Sequence, residues 1–156
     1  MADQQDASDP IMGQIGAAIG LSQSGELAAA RERFAAIWDT VSSDGDPFHR
    51  CTLAHYAADV QLSTEDELMW DLRALAAAEE ITDERAQQYH HSLTAAGLYP
   101  SLHLNLAQDY QKLGDLPHAR EHLAAAQSCA GTLADDGYGN MIKSGIDRLA
   151  DELGTA

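Results

Sequence analysis

Positive charge is scarce in this chain: 9 Lys and Arg stand against 25 Asp and Glu in 156 residues, a formal charge of −16. Nucleic-acid binding depends on basic side chains that displace counterions, so the charge balance excludes that class of partner. Anionic membrane surfaces are disfavoured on the same ground. Residues that favour sheet are also few, with 2 Val and 7 Ile against 28 Ala and 18 Leu, a balance that favours helix. Only 2 cysteines are present, Cys51 and Cys129, and their distance in the chain reads as reduced thiols of a cytoplasmic protein, not a disulfide framework. No apolar run approaches the roughly 20 residues of a bilayer span. The acidic opening MADQQDASDP lacks the basic character of a secretion signal.

What is present is enough apolar material for a core. Hydrophobic residues make up 45% of the chain, which excludes disorder throughout, and the length fits one domain over residues 10–156 behind a polar tail, 1–9. Asp9-Pro10 and Asp46-Pro47 each pair an N-cap with a proline at the first helical position. They open helices over 10 to about 21 and 47 to about 62. A second helix spans 26–41, with Leu27, Ala30, Phe34 and Ile37 on one stripe. Thr64 to Glu67 forms a capping box for a helix over 65–79 that carries Leu68, Leu72 and Leu75. Helices are further predicted over 83–97, 100–113, 117–130 and 139–153. Pro100 pushes Tyr99 towards an extended conformation, placing a break there. The class is all-α, built from antiparallel helical hairpins.

Two segments share one pattern. Leu106-Ala107, Tyr110, Gly114, Leu116, Ala119, Leu123 and Ala126 correspond in register to Ala17-Ala18, Leu21, Gly25, Leu27, Ala30, Phe34 and Ile37. Glycine permits a tight turn and alanine permits close helix approach, so the pattern has a packing rationale. It resembles the tetratricopeptide repeat. Leu53-Ala54 and Ala57 fit a first helix between these segments; Ala54 follows Ala18 by 36 residues and precedes Ala107 by 53, leaving an insertion that matches the helix over 83–97. The Ala-rich, acidic style is also similar to that of small tetratricopeptide proteins from high-GC bacteria. The resemblance implies a right-handed superhelix of about three repeats (11–41, 47–79 and 100–130), with a C-terminal capping helix over 139–153.

It further implies a concave, peptide-binding groove lined by the first helices, to which Phe48, Thr52, His55, Asp59, Asn105 and Gln108 would contribute. Phe48 would anchor a ligand, Asp59 would attract basic side chains and Asn105 would bond ligand backbone. The acidity points to a basic peptide or protein face as partner, and a homodimer is a further possibility. An alternative reading is a metal-binding or small-molecule-sensing protein that uses Cys51 and His55, four apart on one helical face, with His90 or His91, as ligands for Zn²⁺ or a softer metal in the first case. His118, His122 and Arg120 read as surface. Trp70 follows Met69 beside a leucine stripe, so one of the two must face outward. No nucleophile elbow, phosphate-binding glycine loop or HExxH motif is present, and neither catalysis nor a cofactor is expected.

Overall fold

The computed structural model describes residues 9–41, 45–89 and 94–154. Among them all regular structure is helical: α1 (Pro10–Gln23), α2 (Leu27–Val41), α3 (Pro47–Ala58), α4 (Thr64–Ala78), α5 (Asp83–Tyr89), α6 (Tyr99–Lys112), α7 (Leu116–Cys129) and α8 (Gly137–Leu153), with short 3₁₀ turns at Ala96–Leu98 and Ala130–Thr132. No described helix is long and apolar enough to cross a membrane. The chain forms two compact units, one ending at Ile81 and one starting at Thr82.

Local chemistry sets most boundaries. Backbone N–H groups of Met12, Phe48, His118 and Gly139 donate to the side chains of Asp9, Asp46, Asp115 and Asp136, satisfying first-turn donors that the helices leave orphaned. Each such cap stabilises by about 1 kcal/mol. At α4 the cap is Ser63, whose hydroxyl accepts from Asp66 N–H at 3.1 Å, and Thr64 is the first helical residue. The box expected at Thr64 is therefore displaced by one position. Helix α3 ends at Ala58, short of Leu62, and α5 covers seven residues of the longer helix expected over 83–97, whose residues 90–93 lie outside the described set. Tyr99 is helical at φ −67°, ψ −39°, so α6 follows the 3₁₀ turn without the extended break expected before Pro100.

In the first unit α1 pairs with α2 and α3 with α4, and α3 also packs on α1 and α2, so the hairpins stack in sequence order. Gly25 makes the α1–α2 turn at φ +87°, in the left-handed region that only glycine adopts cheaply. Ile15, Ala18, Ala30, Phe34, Leu53, Ala54, Ala57, Ala74 and Ala77 are fully buried. Burying a side chain the size of Phe34 or Leu53 contributes roughly 1.5–3 kcal/mol. Polar ties join the two hairpins: Arg31 Nε donates to the Val60 carbonyl at 2.8 Å, and His49 Nε2 lies 2.9 Å from Asp9 Oδ2.

In the second unit α6 and α7 form a hairpin and α8 packs on both. Gly114, at φ +78°, makes the turn that Gly25 makes in the first unit. The correspondence between the two matched segments extends to burial. Ala18 and Ala107, Ala30 and Ala119, Phe34 and Leu123, and Ile37 and Ala126 are all buried, while Leu27 and Leu116, directly after the turns, are both exposed. Ile142, Ile146, Leu149 and Leu153 of α8 complete this core, as their spacing predicts. Gly145 brings α8 close to α6, since a Cβ there would lie 2.9 Å from a methyl of Leu104.

Candidate functional site

Helix α4 has two apolar faces, and the structure buries the smaller-looking one. Trp70, Ala74, Ala77 and Ala78 face the core, while Met69 and Leu72 are 39% and 41% exposed. Alanines on α4 meet an α3 whose buried positions include Ala54, Ala57 and Ala58, so the two backbones approach closely. Leucines at the contact would hold them apart. The expected stripe of Leu68, Leu72 and Leu75 is therefore left half-buried or exposed. Leu68, Met69, Leu72 and Ala76, with Glu65 and Arg73, line a shallow depression of about 520 Å³. Trp70 is buried and Met69 faces outward, which resolves the alternative raised by the sequence.

One edge of this face is fixed by aromatic contacts. Trp38 of α2 and Trp70 of α4 meet edge to face with centroids 5.3 Å apart, and the Arg73 guanidinium lies 4.9 Å from the first ring and 4.7 Å from the second. A cation over the negative faces of two indoles loses side-chain freedom, so Arg73 becomes a rigid border to the depression. Aromatics at helix contacts are visible in the sequence, but their joint capture of Arg73 is not.

The six residues expected in a groove are divided between the units. Phe48 is 4% exposed at the start of α3 and belongs to the core, so the anchor role expected of it has no exposed surface. Thr52 and His55 are half-buried and Asp59 is exposed, following one another along α3 and its C-cap. Asn105 and Gln108 are half-buried on α6 of the second unit. Burial lowers the His55 pKa below the ordinary 6.5, against the opposing pull of the Asp59 carboxylate. Cys51 is buried beside this row, and desolvation pushes its thiol up to about 12. Burial therefore disfavours the thiolate form of Cys51. His90 and His91 lie outside the described residues.

The second unit holds a cluster that residue spacing did not reveal. Tyr99 lies beside His103, His103 and His122 meet head to head with their Nδ1 atoms 3.1 Å apart, and Tyr110 stacks on both His122 and His118. His118 is exposed and bonds Asp115 Oδ2 at 2.7 Å. His122, read from the sequence as surface, is half-buried, and burial lowers its pKa. The missed signal is the pairing of α6 with α7, which sets an α6 histidine beside one on α7. No protein-family model matches the chain, and no curated protein or solved structure matches it.

Proposed function

We propose that this chain is a non-catalytic binding module of the tetratricopeptide type, a cytoplasmic adaptor or regulatory protein, and that the outward face of α4 receives a basic amphipathic helix from a partner protein. The observation that carries this reading is the row of Leu68, Met69, Leu72 and Ala76 presented at helical spacing beside a rigid arginine border. Such a row matches the i, i+3, i+4 anchors of a docked helix. Glu65 at its rim and exposed Asp66 and Glu79 on the same helix and its cap favour a basic flank on the ligand, and the −16 charge of the chain does so at long range. The repeat-like burial of the two matched hairpins supports the family reading. Within the first unit Thr52, His55 and Asp59 on α3 remain proposed ligand contacts, and within the second unit Asn105 and Gln108 on α6 do so separately.

Titration of the chain with a Leu/Lys amphipathic helical peptide and with its Leu/Glu counterpart tests the reading. The basic peptide should bind and the acidic one should not. Leu72→Lys should weaken binding roughly ten-fold or more, because it removes an apolar anchor and repels the ligand. Its melting temperature should stay within about 2 °C, as expected for an exposed site. Failure of both peptides to bind, or a homodimer in light scattering that Leu72→Lys dissolves, would reject a basic helix as the occupant.

A further inference from the structure

In a chain with 9 Lys and Arg against 25 Asp and Glu, an arginine that pairs with no carboxylate is unexpected. Arg73 is such a residue. Its guanidinium lies 4.9 Å from the Trp38 ring and 4.7 Å from the Trp70 ring, and among the described residues no hydrogen bond or ion pair joins it to an acidic side chain. It is half-buried and lines the depression beside Met69 and Leu72. We propose that Arg73 is a preformed receptor for a single carboxylate of the docked helix, so that the partner of α4 is a basic amphipathic helix carrying one Glu or Asp at the edge of its apolar row. The receptor rests on α4 being the docking face, and adds to it the charge pattern of the ligand.

Attraction to indole rings engages the charge of a guanidinium but leaves its N–H donors in need of oxygen acceptors. A carboxylate meets two of them at once, through parallel bonds. Arginine ordinarily loses side-chain freedom on forming such a pair. Here two indoles have already removed part of that freedom, so less is lost on binding. An apolar helix laid on α4 would also strip water from the half-buried cation, and a desolvated charge left unpaired is costly. The ligand therefore needs an anion at that point. At the other end of the row stands exposed Glu65, eight residues earlier in α4 and about 12 Å away along the axis. That carboxylate selects a cation. Opposite charges two turns apart fix where the helix sits as well as what it carries, which the uniform attraction of a −16 chain does not.

Three Leu/Lys helical peptides test the receptor on the full chain. One has lysine at every polar position, one has a single Glu in place of Lys beside the apolar row in its first half, and one has that replacement in its second half. Net charge alone predicts that each replacement weakens binding to the acidic chain. A carboxylate receptor predicts the reverse for one of the two, which should bind about three-fold or more tighter than the all-lysine peptide. Arg73→Met, which keeps apolar volume against the indoles, should abolish that gain and leave the all-lysine peptide the tightest. Arg73→Lys should keep only part of it, since an ammonium lacks the planar fork. Weaker binding of both Glu peptides beside sound binding of the all-lysine one would overturn the receptor and leave the docking face standing. A gain that survives in Arg73→Met would overturn it as well, because it would come from the peptide's own helicity. Binding by none of the three would overturn the docking face and the receptor together. Should Arg73→Met fail to fold, Arg73→Lys decides: a gain undiminished there overturns the receptor.

Discussion

Burial changes the chemistry of Cys51 by taking its thiol out of water. A rise from the ordinary 9.0 to about 12 lowers the thiolate fraction at neutral pH by about a thousand-fold, before any steric shielding. Alkylation with iodoacetamide at about pH 8, followed by peptide mass spectrometry, should therefore modify Cys129 first. Cys129 is half-buried on α7, and desolvation raises its pKa as well, without removing access. In urea the two thiols should react at similar rates; fast labelling of Cys51 in the folded protein would contradict the assigned burial. The sequence identifies both residues as thiols, but neighbours from other helices decide which is reactive. The same holds for Phe48. Its aromatic character is plain, whereas its place inside the core follows from the stacking of α3 on the first hairpin.

At the scale of the helix, α1 carries glycines at positions 13, 16 and 20, a spacing that would suit close contact with another helix. The structure places open space where each Cβ would be, so packing does not require them. Gly16→Ala should then stabilise by about 0.5–1 kcal/mol, through higher helix propensity and reduced unfolded-state entropy. Gly139 at the start of α8 behaves in the opposite way, because a Cβ there would lie 2.0 Å from the Ala134 carbonyl oxygen. Gly139→Ala should destabilise by about 2 kcal/mol or more. Urea midpoints of the two variants give the check, and equal signs for both would refute the argument. Helix caps and turn glycines are legible because they act within one turn of the chain. The choice between the two faces of α4 is not, since the leucine stripe is the more hydrophobic in isolation and the alanine face wins only once α3 is alongside.

For the whole molecule, a charge of −16 on 156 residues stores self-repulsion that salt relieves. Few cations offset it: Arg50 bonds Glu80 at 2.9 Å and the Gly45 carbonyl at 3.0 Å, and Arg31 is committed to the Val60 carbonyl. Raising NaCl from about 10 mM to about 0.3 M shrinks the screening length from roughly 30 Å to below 8 Å. The melting temperature should rise by about 2–5 °C over that range in scanning calorimetry, and a fall would mean that attractive pairs outweigh the net repulsion. The same salt should slow association of a basic helix with α4 while changing apolar anchoring little.

Composition and short-range signals were sufficient for the helical class, the hairpin turns at Gly25 and Gly114, and the small-residue positions at which paired helices meet. These features depend on backbone conformation and on side chains one turn apart, interactions that a contiguous stretch of chain contains within itself. Tertiary packing alone buried the Trp70 and Ala74 side of α4, captured Arg73 between two indoles, and brought the imidazoles of His103 and His122 to 3.1 Å. Each outcome depends on how closely two separate helices approach and at what relative height, which the volume and shape of both partners determine together.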